Sequence, residues 1–327
     1  MSTAPQFPNE TLVEIFEHAA KADLVALCVT SRLIGGLATR LLYRTIDLRS
    51  LAQLAALVDA MAPAECALCR HVRMFRLGPR VPRSQQVGNW LAALLPRFHL
   101  LAALRLHHHA PDFDESLWFG NLRLFGGIAG PTNSTSLPSF LNRHLTLRCL
   151  TLRKGLVGQP PWDSAVLHLP NLHEYIGDSS FLPSLDEASV HGVRILEVST
   201  AGGETDWEAA LARFGPLDYV GAESVRDIAA TCAIVASICP RVKEVALSSR
   251  LRVAELRDVA DALKGYRALR TLSCDVSSTC VGTADDLATV QTLAAACPTL
   301  RCVVGHDRVW VRRAMGWEMF DKDWSRK

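Results

Sequence analysis

The sequence predicts a mixed α/β chain: three short helices at the N-terminus, then a run of strand–helix units whose strands lie parallel. Three observations carry that prediction. Apolar residues recur at helical spacing through the first 45 residues. Beyond residue 70 one short apolar phrase returns along the chain. The segments between its copies again carry helical spacing, so strands and helices alternate. Composition allows such a fold: of 327 residues, 49% are hydrophobic and 21% charged. Lys plus Arg number 35 against 33 for Asp plus Glu, a formal charge of +2. That near-balance argues against a dedicated nucleic-acid binder, which concentrates a basic excess. No apolar run reaches the ~18 residues of a membrane span. Met1 to Gln6 show neither a basic start nor an apolar core of a leader, so the expected location is cytoplasmic and/or nuclear. The ten cysteines then read as reduced thiols, and the sequons at Asn9 and Asn133 as unused.

The first element runs from Phe7 and Pro8 through Glu17. Asn9 is a cap candidate and Glu10 suits the positive end of the dipole. Leu12, Ile15, Phe16 and Ala19 make one apolar stripe. Asp23 reads as the cap of a second helix carrying Leu24, Leu27 and Cys28. A third begins near Ser31 and carries Leu33, Leu37, Leu41 and Leu42, weakened by Gly35-Gly36 at ~1 kcal/mol per glycine. Three such helices cannot bury all their apolar faces on one another, so the rest of the chain or a partner must cover the surplus.

Phe7-Pro8-x-Glu10-x-Leu12-x-x-Ile15-Phe16, Asp23-Leu24-x-x-Leu27-x-x-x-Ser31-Arg32 and Leu37-Ala38-x-x-Leu41-Leu42-Tyr43-Arg44 together resemble an F-box, most closely the fungal, mushroom-type variety. The first leucine of that pattern is Phe7 here, and Leu33-Ile34 stand where an aromatic commonly follows the Ser-Arg pair. The resemblance spans residues 6–45 within a helical module of residues 1–48. It implies docking on a Skp1-type adaptor, and through it on a cullin-RING ubiquitin ligase, by Phe7, Pro8, Leu12, Ile15, Phe16, Leu24, Leu27, Leu33 and Leu37.

Residues 49–327 hold the repeat. Its phrase is apolar, two variable, apolar, one variable, apolar or small, as in Val72-x-x-Phe75-x-Leu77 and Leu147-x-x-Leu150-x-Leu152. The central anchors are 75, 104, 125, 150, 175, 196, 219, 245, 272 and 303, the copy at Tyr219 being degenerate. Their spacing straddles the period of leucine-rich repeats, about 20–29 residues. Each phrase reads as a short strand with one face buried, and parallel strands with helical crossovers stack into a curved α/β solenoid. Cys239-Pro240 and Cys297-Pro298 each mark a helix end before a strand. Two copies share more: Asn121-Leu122 leads to Leu137-Pro138-Ser139-Phe140, and Asn171-Leu172 to Leu182-Pro183-Ser184-Leu185. That longer likeness also matches mushroom-type F-box proteins. Gly126 to Thr135 reads as a flexible loop. Val303 and Val309-Trp310-Val311 read as a hairpin closing the sheet edge, completed by Trp317, Met319 and Phe320.

Candidate chemistry is thin. Cys66-x-x-Cys69 lacks a second ligand pair and reads as a helix end entering a strand. His107-His108-His109 alternate faces in a strand, so no metal site is expected. No phosphate loop, nucleophile elbow or dinucleotide fingerprint is present, and neither a cofactor nor an enzymatic activity is expected. The variable strand positions should line the solenoid's concave face. They read basic early (Arg76, Arg105, His107, Arg153) and acidic later (Glu174, Asp178, Glu197, Asp218, Glu244, Asp275). The resemblance implies a substrate-recognition adaptor of a Skp1–cullin–F-box ubiquitin ligase that holds a protein substrate on this face. The alternative is an interaction scaffold whose first helices only cap the repeats.

Overall fold

A computed structural model describes residues 7–63, 66–107, 113, 117–129, 136–154, 165–199, 206–223, 225–251, 253–275, 283–305 and 308–321. The chain forms two compact units, residues 1–147 and 148–327.

The first unit begins with α1 (Asn9–Glu17), α2 (Lys21–Leu27) and α3 (Arg32–Leu42). Pro8, not Asn9, is the residue before the first turn of α1, and no side chain caps it. Asp23 sits three residues into α2 and its carboxylate accepts the Ala20 N–H at 3.3 Å. The first cap thus moves by one residue and the second by three, Asp23 serving from inside the first turn of α2 instead of before it. Ser31 caps α3 by accepting the Ile34 N–H. The three helices share a small core of Phe16, Leu24 and Ala38, with Leu12, Leu27, Cys28, Leu37 and Leu41 packed around it. Gly35 belongs to that packing: a Cβ there would meet the Cys28 carbonyl oxygen at 2.6 Å. The glycine costs helix propensity but lets α3 approach the end of α2.

Four parallel strands follow in sequence order: β1 (Thr45–Leu48), β2 (Met74–Leu77), β3 (Ala103–Leu106) and β4 (Leu124–Ala129). Ile46, Phe75, Leu104 and Phe125 stand in one register row. The last three are essentially fully buried. β1 is a copy of the phrase, Tyr43-x-x-Ile46-x-Leu48, that lies ahead of the repeats read in the sequence. Helices α4 (Leu51–Met61) and α5 (Gln85–Leu94) lie between β1 and β2 and between β2 and β3, and α6 (Ser136–Arg143) follows β4. Ser50 and Ser84 cap the first two. Gly126 to Ala129 belong to β4 and are not loop, because the strand stays paired with β3 at Gly126 and remains buried through Ile128; residues 130–135 lie outside the described set.

The second unit repeats the plan. Parallel strands β5 (Cys149–Lys154), β6 (Glu174–Asp178), β7 (Ile195–Ser199), β8 (Tyr219–Glu223), β9 (Glu244–Arg250), β10 (Thr271–Asp275) and β11 (Cys302–Val304) pair in sequence order. Antiparallel β12 (Arg308–Arg313) and β13 (Gly316–Asp321) complete the sheet, with Val303 opposite Trp310 and Trp310 opposite Met319. Between the parallel strands run α7 (Glu187–Gly192), α8 (Trp207–Ala212), α9 (Ile228–Ile238), α10 (Leu256–Leu263) and α11 (Thr283–Ala296). Leu150, Tyr175, Leu196, Val220, Val245, Leu272 and Val303 form one fully buried register row.

That row corrects one anchor: it is Val220, not Tyr219, in the copy Leu217-x-x-Val220-x-Ala222. With a side-chain period of two, the one-residue shift sends Tyr219 to the opposite face. At Gly177 a Cβ would collide with the Leu152 carbonyl oxygen, so strands β5 and β6 meet there through bare backbone.

Candidate functional site

Two kinds of surface are candidates: the outer side of the helical module and the sheet face opposite the helices. On the module, the predicted docking residues divide. Phe16 and Leu24 are each 6% exposed and form the module's own core, so they are not surface. Leu12, Leu27 and Leu37 are half-buried against that core. Phe7 (61% exposed), Ile15 (52%) and Leu33 (53%) remain on the outside, as does Pro8. Val25 (55%) and Val29 (86%) join them. The sequence reading missed this valine pair, although its i,i+4 spacing around α2 was a usable signal.

In the first unit the open sheet face is basic. Asp47, Arg76 and Arg105 occupy one register row. Arg76 reaches Asp47 at 3.9 Å and His107 Nε2 at 3.5 Å, while Arg49 holds the other Asp47 oxygen at 3.2 Å. His108 and His109 lie outside the described residues.

In the second unit the same face is acidic. Glu174, Tyr219 and Glu244 share one row, Glu197 and Gly221 the next, and Glu223 the one beyond. Burial raises the Glu197 carboxyl above its ordinary range, and repulsion from Glu223 and Glu174 adds to it against the pull of Arg153. The Tyr219 phenol is pushed up to about 12, by burial first and then by Glu197, Glu244 and Glu223. Gly221 makes the room: a Cβ there would stand 2.9 Å from Glu197 Cγ and 2.9 Å from the Tyr219 ring. Glu223 and Tyr219 were hidden from the sequence by the one-residue error in the eighth strand.

Two predicted members leave the acidic set. Asp178 is 4% exposed, because the chain turns there into a 3-10 helix whose Ser180 N–H its carboxylate accepts at 2.9 Å. Asp218 precedes β8 and pairs with Lys243 at 2.8 Å at the strand entrance. That hydrogen bond, with Lys243, Arg194 and His173 nearby, holds its carboxyl below the usual range against a small burial cost. The side chain of Asp275 lies outside the described set.

The fold does bring one Ser, Asp and His together. His168 Nδ1 lies 2.5 Å from Asp186 Oδ2, and the Ser189 hydroxyl donates to Asp186 Oδ1 at 2.5 Å. The carboxylate stands between the other two, so the imidazole is not placed to take the serine proton. Ser189 is fully buried and accepts the Leu169 N–H at 2.6 Å. Asp186 also accepts the Ser189 N–H as the cap of α7. Burial would raise the Asp186 carboxyl, but these bonds outweigh it and hold it below its usual range. The trio fastens α7 to the Leu167–Leu169 segment.

His144 is a second buried polar point. Its Nε2 accepts the Phe119 N–H at 3.1 Å, so the ring proton is on Nδ1, which donates to the Phe140 carbonyl at 2.7 Å. Trp118, itself 57% exposed, stacks on the imidazole at 5.1 Å. Burial keeps the imidazole neutral to lower pH than usual, and Arg143 adds to this. Among the described residues no group of three or more His, Cys, Asp or Glu side chains is placed to hold a metal ion. None of the described helices is long and apolar enough to cross a membrane.

No protein-family model matches the chain, and neither does any curated protein.

Proposed function

We propose that this chain is a substrate-recognition adaptor of a Skp1–cullin–F-box ubiquitin ligase. The observation that carries the reading is the rim of Phe7, Ile15, Val25, Val29 and Leu33, large apolar side chains left outside a helical module that has its own core. Scattered exposed apolar residues are ordinary, but one on each of three short helices and two more beside them would suit another chain. The rim lies within the segment that resembles an F-box, and parallel strand repeats follow it, as in a leucine-rich-repeat-like solenoid. Each unit's open strand face offers charge to a substrate of its own complement, arginines in the first unit and glutamates in the second. Complementary charge would steer encounter and set register. The adaptor makes and breaks no bond; it raises the effective concentration of substrate lysines near a charged conjugating enzyme.

The test is a pull-down of purified Skp1 by the full chain beside an Ile15→Asp/Leu33→Asp variant. Both positions are exposed, so the variant should fold, which its thermal melt checks. Binding by the wild type and loss of at least tenfold in affinity, about 1.4 kcal/mol, in the variant support the adaptor reading. A folded wild type that leaves Skp1 unbound overturns it in favour of a capped scaffold.

A further inference from the structure

We propose that Cys66 and Cys69 form a reversible dithiol–disulfide pair that exchanges with low-molecular-weight disulfides of the glutathione class. The two residues close one tight turn between α4 and β2. The Cys69 N–H donates to the Cys66 carbonyl at 3.1 Å. Turns of this kind bring the outer Cα atoms within about 7 Å, and disulfides span about 4.4–6.8 Å. The two thiols are near enough to act on one another, Cys66 raising the Cys69 thiol. Joining the sulfurs therefore asks for side-chain rotation and little else.

The pair is asymmetric in the way exchange requires. Cys66 is half-buried, its sulfur 4.0 Å from the Ala60 carbonyl oxygen, and small thiols and disulfides can reach it. Cys69 is buried at 5% exposure, inside the 3-10 turn that enters β2. The surroundings are positive, which favours thiolate. Arg97, hydrogen-bonded to the Met61 and Pro63 carbonyls, acts on Cys69, and Arg70, Arg40 and Arg73 act on the adjoining His71. Cys66 is the more exposed of the two, so it meets the oxidant first and the buried Cys69, its thiol pushed up by burial, resolves. Cys232, Cys239, Cys274 and Cys297 are buried, the Cys232 thiol being pushed up to about 12, while half-buried Cys28, Cys149 and Cys302 have no second cysteine three residues away.

The chemistry balances with glutathione disulfide as oxidant. Cys66 thiolate attacks one sulfur of the disulfide and expels a glutathione thiolate. Cys69, losing its proton, then attacks the Cys66 sulfur and expels the second. The protein dithiol loses two electrons and two protons, and two glutathione molecules are formed. Excess reduced glutathione runs the sequence backwards.

The experiment uses the full folded chain, equilibrated across a series of glutathione disulfide to glutathione ratios, acid-quenched, alkylated and cut with trypsin. Cys66 and Cys69 fall together in the Ser50–Arg70 peptide, which holds no other cysteine. We expect that peptide to escape alkylation and lose two hydrogens at a ratio at least about tenfold lower than any other cysteine needs. Dithiothreitol should restore both alkylations. Cys69→Ser should stop at a glutathione adduct on Cys66, and Cys66→Ser should leave Cys69 free to alkylate. A wild-type peptide that stays doubly alkylated across the series overturns the proposal, and this arm depends on no variant folding. So does a Cys69→Ser chain that never takes the adduct.

Discussion

The helical module and the strand repeats use the same kind of amphipathic element and bury it with different success. Along the repeats every inward anchor is covered: Leu150, Tyr175, Leu196, Val245, Leu272 and Val303 are all at 0% exposure. Each strand and its helix receive a neighbour on either side, so one phrase closes the next. The three N-terminal helices share a core of only three buried side chains. They bury Phe16, Leu24 and Ala38 and leave Phe7, Ile15, Val25, Val29 and Leu33 in solvent. The comparison separates two uses of a large apolar residue: inside a stack it holds the chain together, and at the end of one it is available to a second molecule.

The contrast can be broken hardest in the stack. Leu272→Ala removes a fully buried anchor between β9 and β11 and should cost about 3–5 kcal/mol, read as the denaturant midpoint of the second unit at unchanged slope. A loss below about 1 kcal/mol would mean that the row is not tightly closed. Phe16→Ala should cost about 3 kcal/mol at the low end for such a change, since a core this small can partly collapse. Hydrogen exchange should then rise across α1 to α3 and stay slow in β6 to β10; a uniform rise would show that the module has no core of its own.

His144 gives a pH-dependent version. Its folded pKa lies below the unfolded value, so the unfolded chain takes up the proton first as pH falls. The contribution is therefore whole above about pH 6.5 and lost as pH drops below it, by at most about 1.4 kcal/mol per pH unit. His144→Asn should flatten that loss between pH 6.5 and 5, and Trp118 fluorescence, next to the imidazole, should track it in the wild type. Equal acid sensitivity in both chains would remove His144 as its source.

Ile15→Asp/Leu33→Asp sharpens the comparison from the other side. Both positions are exposed, so stability should shift by less than about 0.5 kcal/mol while adaptor binding is lost. A large drop in melting temperature would mean that the rim is covered within the chain. The smallest effect is on the acidic face. Glu197→Gln should lower the Tyr219 phenol from about 12 towards its ordinary value, seen as tyrosinate absorbance during alkaline titration. An unmoved titration would show that burial alone raises it.

How much of this was legible in the sequence follows from how local each signal is. The strand phrase is a period-two pattern of a few residues, so β2 to β11, their parallel order within each unit and the β11–β12 hairpin could be read directly. Where the phrase was degenerate the phase slipped by one residue, and that single slip displaced Asp218 and concealed Tyr219 and Glu223. Asp178 shows a different failure. Its position in the alternation was right, but the 3-10 helix after it folded over the carboxylate. Ser189, Asp186 and His168 lie within 22 residues, yet nothing in their spacing announces that they meet.

By itself, then, the sequence determined which side of each element is apolar, because that is written in neighbouring residues through the helical and strand periods. Only the tertiary structure decided how much of each apolar side is covered. The sequence set Ile15 and Phe16 next to one another in a single stripe. The approach of α3 put Phe16 in the core and left Ile15 outside. Coverage depends on the area a neighbouring element brings, and that area is a property of packing across distant segments, which no local period records.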